Sequence, residues 1–141
     1  GQTITEHNRQ TQLLPPRYCP VWFALEDRER SELYKRIDDR VDKMLQAGLL
    51  DEIKRLLSMG IPEKATALQA IGYKEFIDAL NGRCSIAEAA AQVQQSSRRY
   101  AKRQLTWFRR NPAIHWLCRE TGEDNDKILM KARQVLAESD K

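Results

Sequence analysis

The chain has 141 residues, 41% hydrophobic and 31% charged, with 24 Lys and Arg against 20 Asp and Glu, for a net charge of +4. That length supports one modest core rather than several domains. No apolar run approaches the roughly 18 residues of a membrane span and no basic-then-apolar leader opens the sequence, so neither a span nor a secretory signal is expected and the expected address is the cytoplasm.

Residues 1–20 are polar and punctuated by Pro15, Pro16 and Pro20, which reads as a loop. It feeds an apolar run, Val21–Leu25, with the length of a buried strand. Asp27 is placed to cap a helix in which Leu33, Ile37, Val41, Met44 and Leu45 keep a helical spacing until Gly48 stops it. Leu49–Met59 follows as a second helix closed by Gly60 and Pro62, and Tyr73–Leu80 as a third with Gly82 behind it. Ser85 and Glu88 form a capping box, the clearest start signal in the chain, and the helix they open runs to about Asn111, where Pro112 prevents continuation. Ile114–Leu117 reads as a second short strand, and Asn125–Ala137 as a terminal helix with Asp124 and Asp126 near its positive end.

Val21–Leu25 lacks polar alternation and reads as buried on both faces, which two strands cannot achieve. The expected fold class is therefore mainly α with one or two short strands, as the latter part of an α/β protein whose other strands lie outside this sequence. A small helical domain with an apolar linker is the alternative.

Charge is unevenly spread. Residues 1–60 carry ten cations against ten acids, while RRYAKRQLTWFRR, residues 98–110, carries six cations and no acid and supplies the whole excess. Projected at about 100° per residue, Arg98, Arg99, Lys102, Arg103, Arg109 and Arg110 share an arc of about 140°. Ile86, Ala89, Val93, Tyr100, Trp107 and Phe108 occupy the opposite arc, which assigns these aromatics to core packing. A merely wet helix face mixes signs, whereas stacked like charges repel, so an anion is expected on this one. A row of cations rising about 1.5 Å per residue suits a phosphate backbone better than one small phosphorylated ligand, with an acidic protein next.

Cys19, Cys84 and Cys118 are odd in number and far apart, and read as reduced, packed thiols; His7 and His115 are too isolated for a metal cluster. Asp38, Asp39 and Asp42 spell D-D-x-x-D, the magnesium-diphosphate pattern of chain-elongating isoprenoid synthases. That pattern works as two facing motifs in a large helical bundle, and here one motif stands alone with Asp39 able to pair with Lys43, so no metal site is assigned.

The basic block at 98–110, AIGYKEFIDALNG at 70–82 and RIDDRVDKMLQAGLLDEIKRLL at 36–57 occur between an opening GQTITEHN and IHWL at 114–117. Together they resemble the C-terminal half of the tRNA dimethylallyltransferases, also called tRNA isopentenyltransferases, over about residues 1–118. The resemblance implies a P-loop kinase-like (P-loop NTPase) α/β fold with a helical insertion that embraces tRNA. It also implies transfer of the dimethylallyl group from dimethylallyl diphosphate to the exocyclic amine of the adenosine 3′ of the anticodon. The implied partners are the tRNA anticodon stem-loop, dimethylallyl diphosphate and the N-terminal half of the same protein, in a monomeric enzyme without a membrane. The implied cofactor is Mg²⁺, held mainly outside this sequence.

No glycine sits in a G-x-x-x-x-G-K-[ST] string, so the phosphate-cradling loop is absent, and the family's catalytic Asp and Thr would precede Gly1. The chain alone is expected to be inactive, and a stand-alone, non-catalytic helical RNA-binding module is the alternative. Residue by residue, Arg40 matches the arginine that reaches the donor diphosphate. Gln69, Ala70, Ile71, Gly72, Tyr73 and Lys74 match one tRNA-contacting segment, with Gly72 allowing close backbone approach. Lys102, Arg103, Gln104, Leu105, Thr106, Trp107, Phe108 and Arg109 match a second, to which Arg98, Arg99 and Arg110 are adjacent. Lys102, Arg103 and Arg109 are expected on phosphates, and Thr106 or Gln104 on sugar or base. Residues 1–20 would end the helical insertion or link from it, 21–118 would complete the catalytic core with its tRNA-binding helices, and 119–141 would form a tail helix.

Overall fold

The computed structural model describes residues 3–15 and 18–139. In chain order it contains α1 (Ile4–Leu13), β1 (Trp22–Asp27), α2 (Arg30–Gln46), α3 (Leu49–Ser58), a single 3₁₀ turn (Thr66–Gln69), α4 (Tyr73–Leu80), α5 (Ile86–Phe108), β2 (Ile114–Arg119) and α6 (Asn125–Ser139). The mainly helical class with two short strands is the expected one. Pro16, Gly1 and residues 140–141 lie outside the described residues.

Two local expectations are corrected. Residues 4–13 form a helix rather than a loop, because the Thr3 hydroxyl accepts the Glu6 N–H at 3.2 Å and caps a segment that buries no residue and so shows no apolar stripe. Asp27 does not cap α2. It ends β1 and pairs with Arg36, while the N-cap position falls to Glu29, which makes no side-chain capping bond. Within this chain Trp22 is 49% exposed and Leu25 46%, because a two-stranded sheet leaves much of its surface uncovered, in keeping with the expectation that further strands lie outside this sequence.

The core lies among α2, α3, α4 and the N-terminal half of α5. Val41, Leu49, Ile53, Leu68, Phe76, Ile77, Ala89 and Val93 form one buried cluster. Their spacing explains it: Leu49 and Ile53 are four apart on α3, Phe76 and Ile77 sit side by side on α4, and Ala89 and Val93 are four apart on α5, so each helix contributes one narrow stripe. Phe76 and Ile53 are fully buried, each contributing about 1.5–3 kcal/mol by removal from water. Gly72 precedes α4 at φ +102°, a conformation disfavoured for any residue with a Cβ, and Met44 lies 3.8 Å from where that Cβ would stand.

Beside this helical core β1 and β2 pair in parallel, with Trp22 opposite Ile114 and Asp27 opposite Arg119. The N–H of Arg28 extends the ladder by donating to the carbonyl of Arg119 at 3.0 Å. α6 packs against β2, where the Lys131 ammonium donates to the Cys118 carbonyl at 2.8 Å and to Glu123 at 2.8 and 2.9 Å. Asp124 accepts the Lys127 N–H at 2.9 Å, the expected N-terminal role.

The Glu123 side chain is only 8% exposed, and the Lys131 ammonium with the Glu120 N–H holds its carboxyl below the usual carboxylate range. A carboxylate with a depressed folded pKa stabilises above its unfolded value and loses that contribution as pH falls through the folded one. Amides of α6 therefore exchange faster as pH drops below the ordinary glutamate range, after correction for intrinsic exchange. Glu123→Gln removes that pH step; an unchanged step would detach Glu123 from the docking of α6.

Candidate nucleic-acid interface

α5 is the element that carries the basic block. Its capping box forms as expected, with the Ser85 hydroxyl accepting the Glu88 N–H at 3.1 Å and the Glu88 carboxylate accepting the Ser85 N–H at 2.8 Å. These bonds hold the Glu88 carboxyl below its ordinary range. The helix runs 23 residues, about 35 Å. It packs against α4 and α2, burying Ala89 and Val93, and its far end reaches β1 through Arg109 and Glu26.

The six cations do not act alike. The Arg98 guanidinium meets the Asp38 carboxylate of α2 and lies 5.7 Å from the centre of the Tyr34 ring. Arg109 donates to Glu26 of β1 at 2.7 Å and stands 5.5 Å over the Trp116 ring. These two tie α5 to its neighbours, so Arg98 and Arg109 each have an acidic partner within the chain. Asp38 and Glu26 lie 60 and 83 residues away in sequence, so a projection of α5 alone cannot reveal them. Arg99, Lys102, Arg103 and Arg110 are exposed, and among the described residues none of them has an ion-pair partner. The cationic face is thus real but four residues wide. The Thr106 hydroxyl donates to the Lys102 carbonyl at 3.0 Å, a helix back-bond that occupies its proton.

The aromatics depart furthest from expectation. Trp107 is 64% exposed, Tyr100 49% and Phe108 37%, so they do not enter the core although the stripe they continue does. The physical reason is length: α4 ends at Leu80 and covers only the Ala89 and Val93 portion of α5. The Trp107 and Phe108 rings meet edge to face at 5.0 Å and 80°, and the Arg103 guanidinium lies 5.7 Å from the Tyr100 ring centre. Leu105 is half-buried. With Gln104 and Phe108 it lines a cavity of about 400 Å³ between α5 and β1, whose other walls include Phe23, Leu25, Leu33 and Trp116 and whose polar side carries Arg28 and Arg30. The neighbouring Cys118 and Glu120, the latter paired with Arg28 at 3.0 Å, raise the pKa of Arg28. Arg28 and Arg30 were not singled out from sequence, since nothing in a D-R-E-R string says which arginine borders a cavity.

The other proposed contact segment lies at the junction of the 3₁₀ turn and α4. Gln69 donates to the Glu63 carbonyl at 2.9 Å, and the Tyr73 hydroxyl donates to Glu52 at 2.7 Å, a bond that raises the phenol's pKa. Ala70, Ile71 and Lys74 are exposed, but Gly72 is buried and its N–H donates to Glu75 at 2.9 Å. The positive φ at Gly72 thus favours glycine there whatever the neighbouring contacts, and its N–H is already engaged within the chain. Lys74 borders a shallow hollow with Gln92 of α5. Gln92 projects into the same arc as Arg99, Arg103 and Arg110, about 15 Å along the helix from Lys102. The two segments, separate in sequence, thus share one side of α5.

Arg40 is exposed on α2, with no ion-pair partner among the described residues. Its neighbour Val41 is 3% exposed and anchors that turn in the core. Among the described residues no group of three His, Cys, Asp or Glu could hold a metal ion, and the carboxylate of Asp38 is engaged by Arg98. These residues do not fit a Mg²⁺ site. No Asp39–Lys43 pair forms among the described residues, consistent with the few tenths of a kcal/mol such an exposed pair contributes. Cys84 and Cys118 are half-buried free thiols; Cys19 is free but exposed rather than packed, since its segment joins no core. No helix among the described residues is long and apolar enough to cross a membrane.

Comparison with known proteins bears on this geometry. The profile of the IPP transferase family matches residues 1–111. A tRNA dimethylallyltransferase of Lachnoclostridium phytofermentans is 36% identical over 140 residues, which are 99% of this chain and 44% of that protein. The tRNA dimethylallyltransferase of Halothermothrix orenii is 45% identical over 135 residues, 96% of this chain and 40% of that protein. The crystal structure of the full-length tRNA isopentenylpyrophosphate transferase from Bacillus halodurans superposes with a TM-score of 0.78 at 41% identity, covering 91% of this chain and 41% of that one. The corresponding Staphylococcus epidermidis structure gives 0.77 at 31% identity, covering 99% and 44%. The chain therefore spans less than half the length of these relatives.

Proposed function

The chain belongs to the IPP transferase family, and from that premise we propose that it is the C-terminal part of a tRNA dimethylallyltransferase. The complete enzyme moves the dimethylallyl group of dimethylallyl diphosphate to the exocyclic amine of the adenosine 3′ of the anticodon. The amine nitrogen bonds to the allylic carbon, the bond from that carbon to the diphosphate oxygen breaks, the amine gives up a proton and diphosphate leaves. Within this chain α5 and the start of α4 hold the anticodon stem-loop, and Arg40 holds the diphosphate. A planar guanidinium can bind two phosphate oxygens at once, and negative charge grows on that group as it departs. Residues 21–118 complete a P-loop kinase-like core, 1–20 join it to a helical insertion and 119–141 form a tail helix. The protein works as a cytoplasmic monomer, with its catalytic Asp and Thr, its phosphate-cradling loop and its Mg²⁺ ligands in the remainder of the enzyme.

The observation that carries the reading is the four-cation face of α5, whose Arg99, Lys102, Arg103 and Arg110 have no ion-pair partner among the described residues. RNA phosphates supply the opposing charge along its length, and an anticodon loop presents the adenine without the cost of opening a duplex. Incubating the complete protein with dimethylallyl diphosphate and an anticodon stem-loop should add one dimethylallyl group to that adenosine, seen by mass spectrometry of the digested RNA. The 141-residue chain alone should bind the stem-loop and transfer nothing. An unmodified RNA after incubation with the complete, folded protein would refute the assignment.

A further inference from the structure

Val93, Tyr100 and Trp107 follow one another at seven-residue intervals on α5, so they lie on one stripe. Val93 is buried in the core, whereas Tyr100 and Trp107 are open, with Arg103 between them in sequence and its guanidinium against the Tyr100 ring. Trp107 also borders two shallow hollows. One is cationic, lined with Arg99, Lys102, Arg103, Thr106 and Arg110. The other is formed with Tyr100, Arg103, Gln104 and Phe108. The Trp107 and Phe108 rings stand nearly perpendicular at 5.0 Å, which steadies Trp107 from one side.

A large, open aromatic surface bordered by uncompensated cations suits a partner that is at once flat, apolar and anionic. A second copy of this chain would bring the same cations and be repelled. A nucleotide combines all three properties, because every base has a stacking face and every link a negative charge. We propose that Trp107, with Tyr100 and Phe108 beside it, is a stacking platform for an unpaired base of the bound RNA, whose adjoining phosphates lie on Arg99, Lys102, Arg103 and Arg110. This rests on the tRNA reading above and assigns roles within it: the aromatics hold a base by its face, the four cations follow the backbone, and Arg98 and Arg109 position the helix.

The complete enzyme with Trp107→Ala, Trp107→Phe and no substitution provides the test, using an anticodon stem-loop as the probe. Stacking contributes enough that Trp107→Ala should raise the stem-loop Kd by about tenfold. Trp107→Phe, which keeps a ring, should recover most of that loss. Because no charge is removed, the slope of log Kd against log salt should stay unchanged, as should KM for dimethylallyl diphosphate. The stem-loop should quench part of the tryptophan fluorescence, and Trp107→Phe should remove that part. An unchanged Kd in Trp107→Ala overturns the proposal, and so does quenching that Trp107→Phe leaves intact. A lowered melting temperature with unchanged RNA affinity would assign Trp107 to packing against the rest of the polypeptide and also overturn it. If the unsubstituted enzyme modifies tRNA and Trp107→Ala does so with equal KM for RNA, only this inference falls; if the unsubstituted enzyme neither binds nor modifies the stem-loop, the tRNA reading falls with it.

Discussion

In the complete enzyme, Arg40→Ala should lower kcat/KM for dimethylallyl diphosphate about a hundredfold while leaving tRNA affinity within twofold, on the scale of a charge-assisted bidentate contact of about 3 kcal/mol. Arg40 is exposed and has no acid to neutralise it among the described residues. Its loss therefore strands no buried charge. Val41 beside it keeps α2 anchored, so the defect should be chemical rather than structural. Arg40→Lys retains charge but loses the planar fork and should recover only part of the activity. Steady-state kinetics with the donor varied at saturating tRNA separates these outcomes. A donor KM and kcat identical to the unsubstituted enzyme would remove Arg40 from the diphosphate site.

Replacing Arg99, Lys102, Arg103 and Arg110 together by Gln should weaken stem-loop binding by at least a hundredfold at low salt and flatten its salt dependence. Each phosphate neutralised on a single strand contributes about 0.7 to the slope of log K against log salt, so losing four should reduce it by about 3. Arg109→Gln should behave differently. Its guanidinium is committed to Glu26 and stacked over Trp116, so the salt slope should hardly change and any cost should appear in thermal stability. A binding titration from low to high salt on both variants decides the matter. Equal slopes for the four-site variant and the unsubstituted enzyme would refute the division of labour on α5.

What the sequence made legible followed local signals. The capping box at Ser85 and Glu88 set the start of α5, and the apolar spacing from Leu33 to Leu45 with the glycine stop at Gly48 set α2 within two residues, while α5 ends at Phe108, three residues before Asn111. α1 was missed because a helix that buries nothing has no apolar periodicity, and only the Thr3–Glu6 cap announces it. At the interface, the segregation of cations to one face of α5 could be read from a single helix. Which of them remain free for a ligand depends on Asp38 and Glu26, brought in by tertiary structure from elements far away in sequence. The aromatics failed for the related reason that periodicity identifies a stripe but not how far its covering helix extends. Gly72 shows a third limit: the sequence marks a glycine but does not say that it takes a positive φ and gives its N–H to Glu75.

The parallel pairing of β1 with β2 joins strands separated by roughly 90 residues. Closing so long a loop in a flexible chain would cost about 4 kcal/mol in entropy, more than an isolated two-stranded sheet returns. The helices between them remove most of that cost by shortening the intervening chain before the strands meet. The sheet is therefore conditional on the helical core: damage at Phe76 or Ile53 would loosen not only α3 and α4 but also the distant strand contact through Glu26 that steadies the far end of α5.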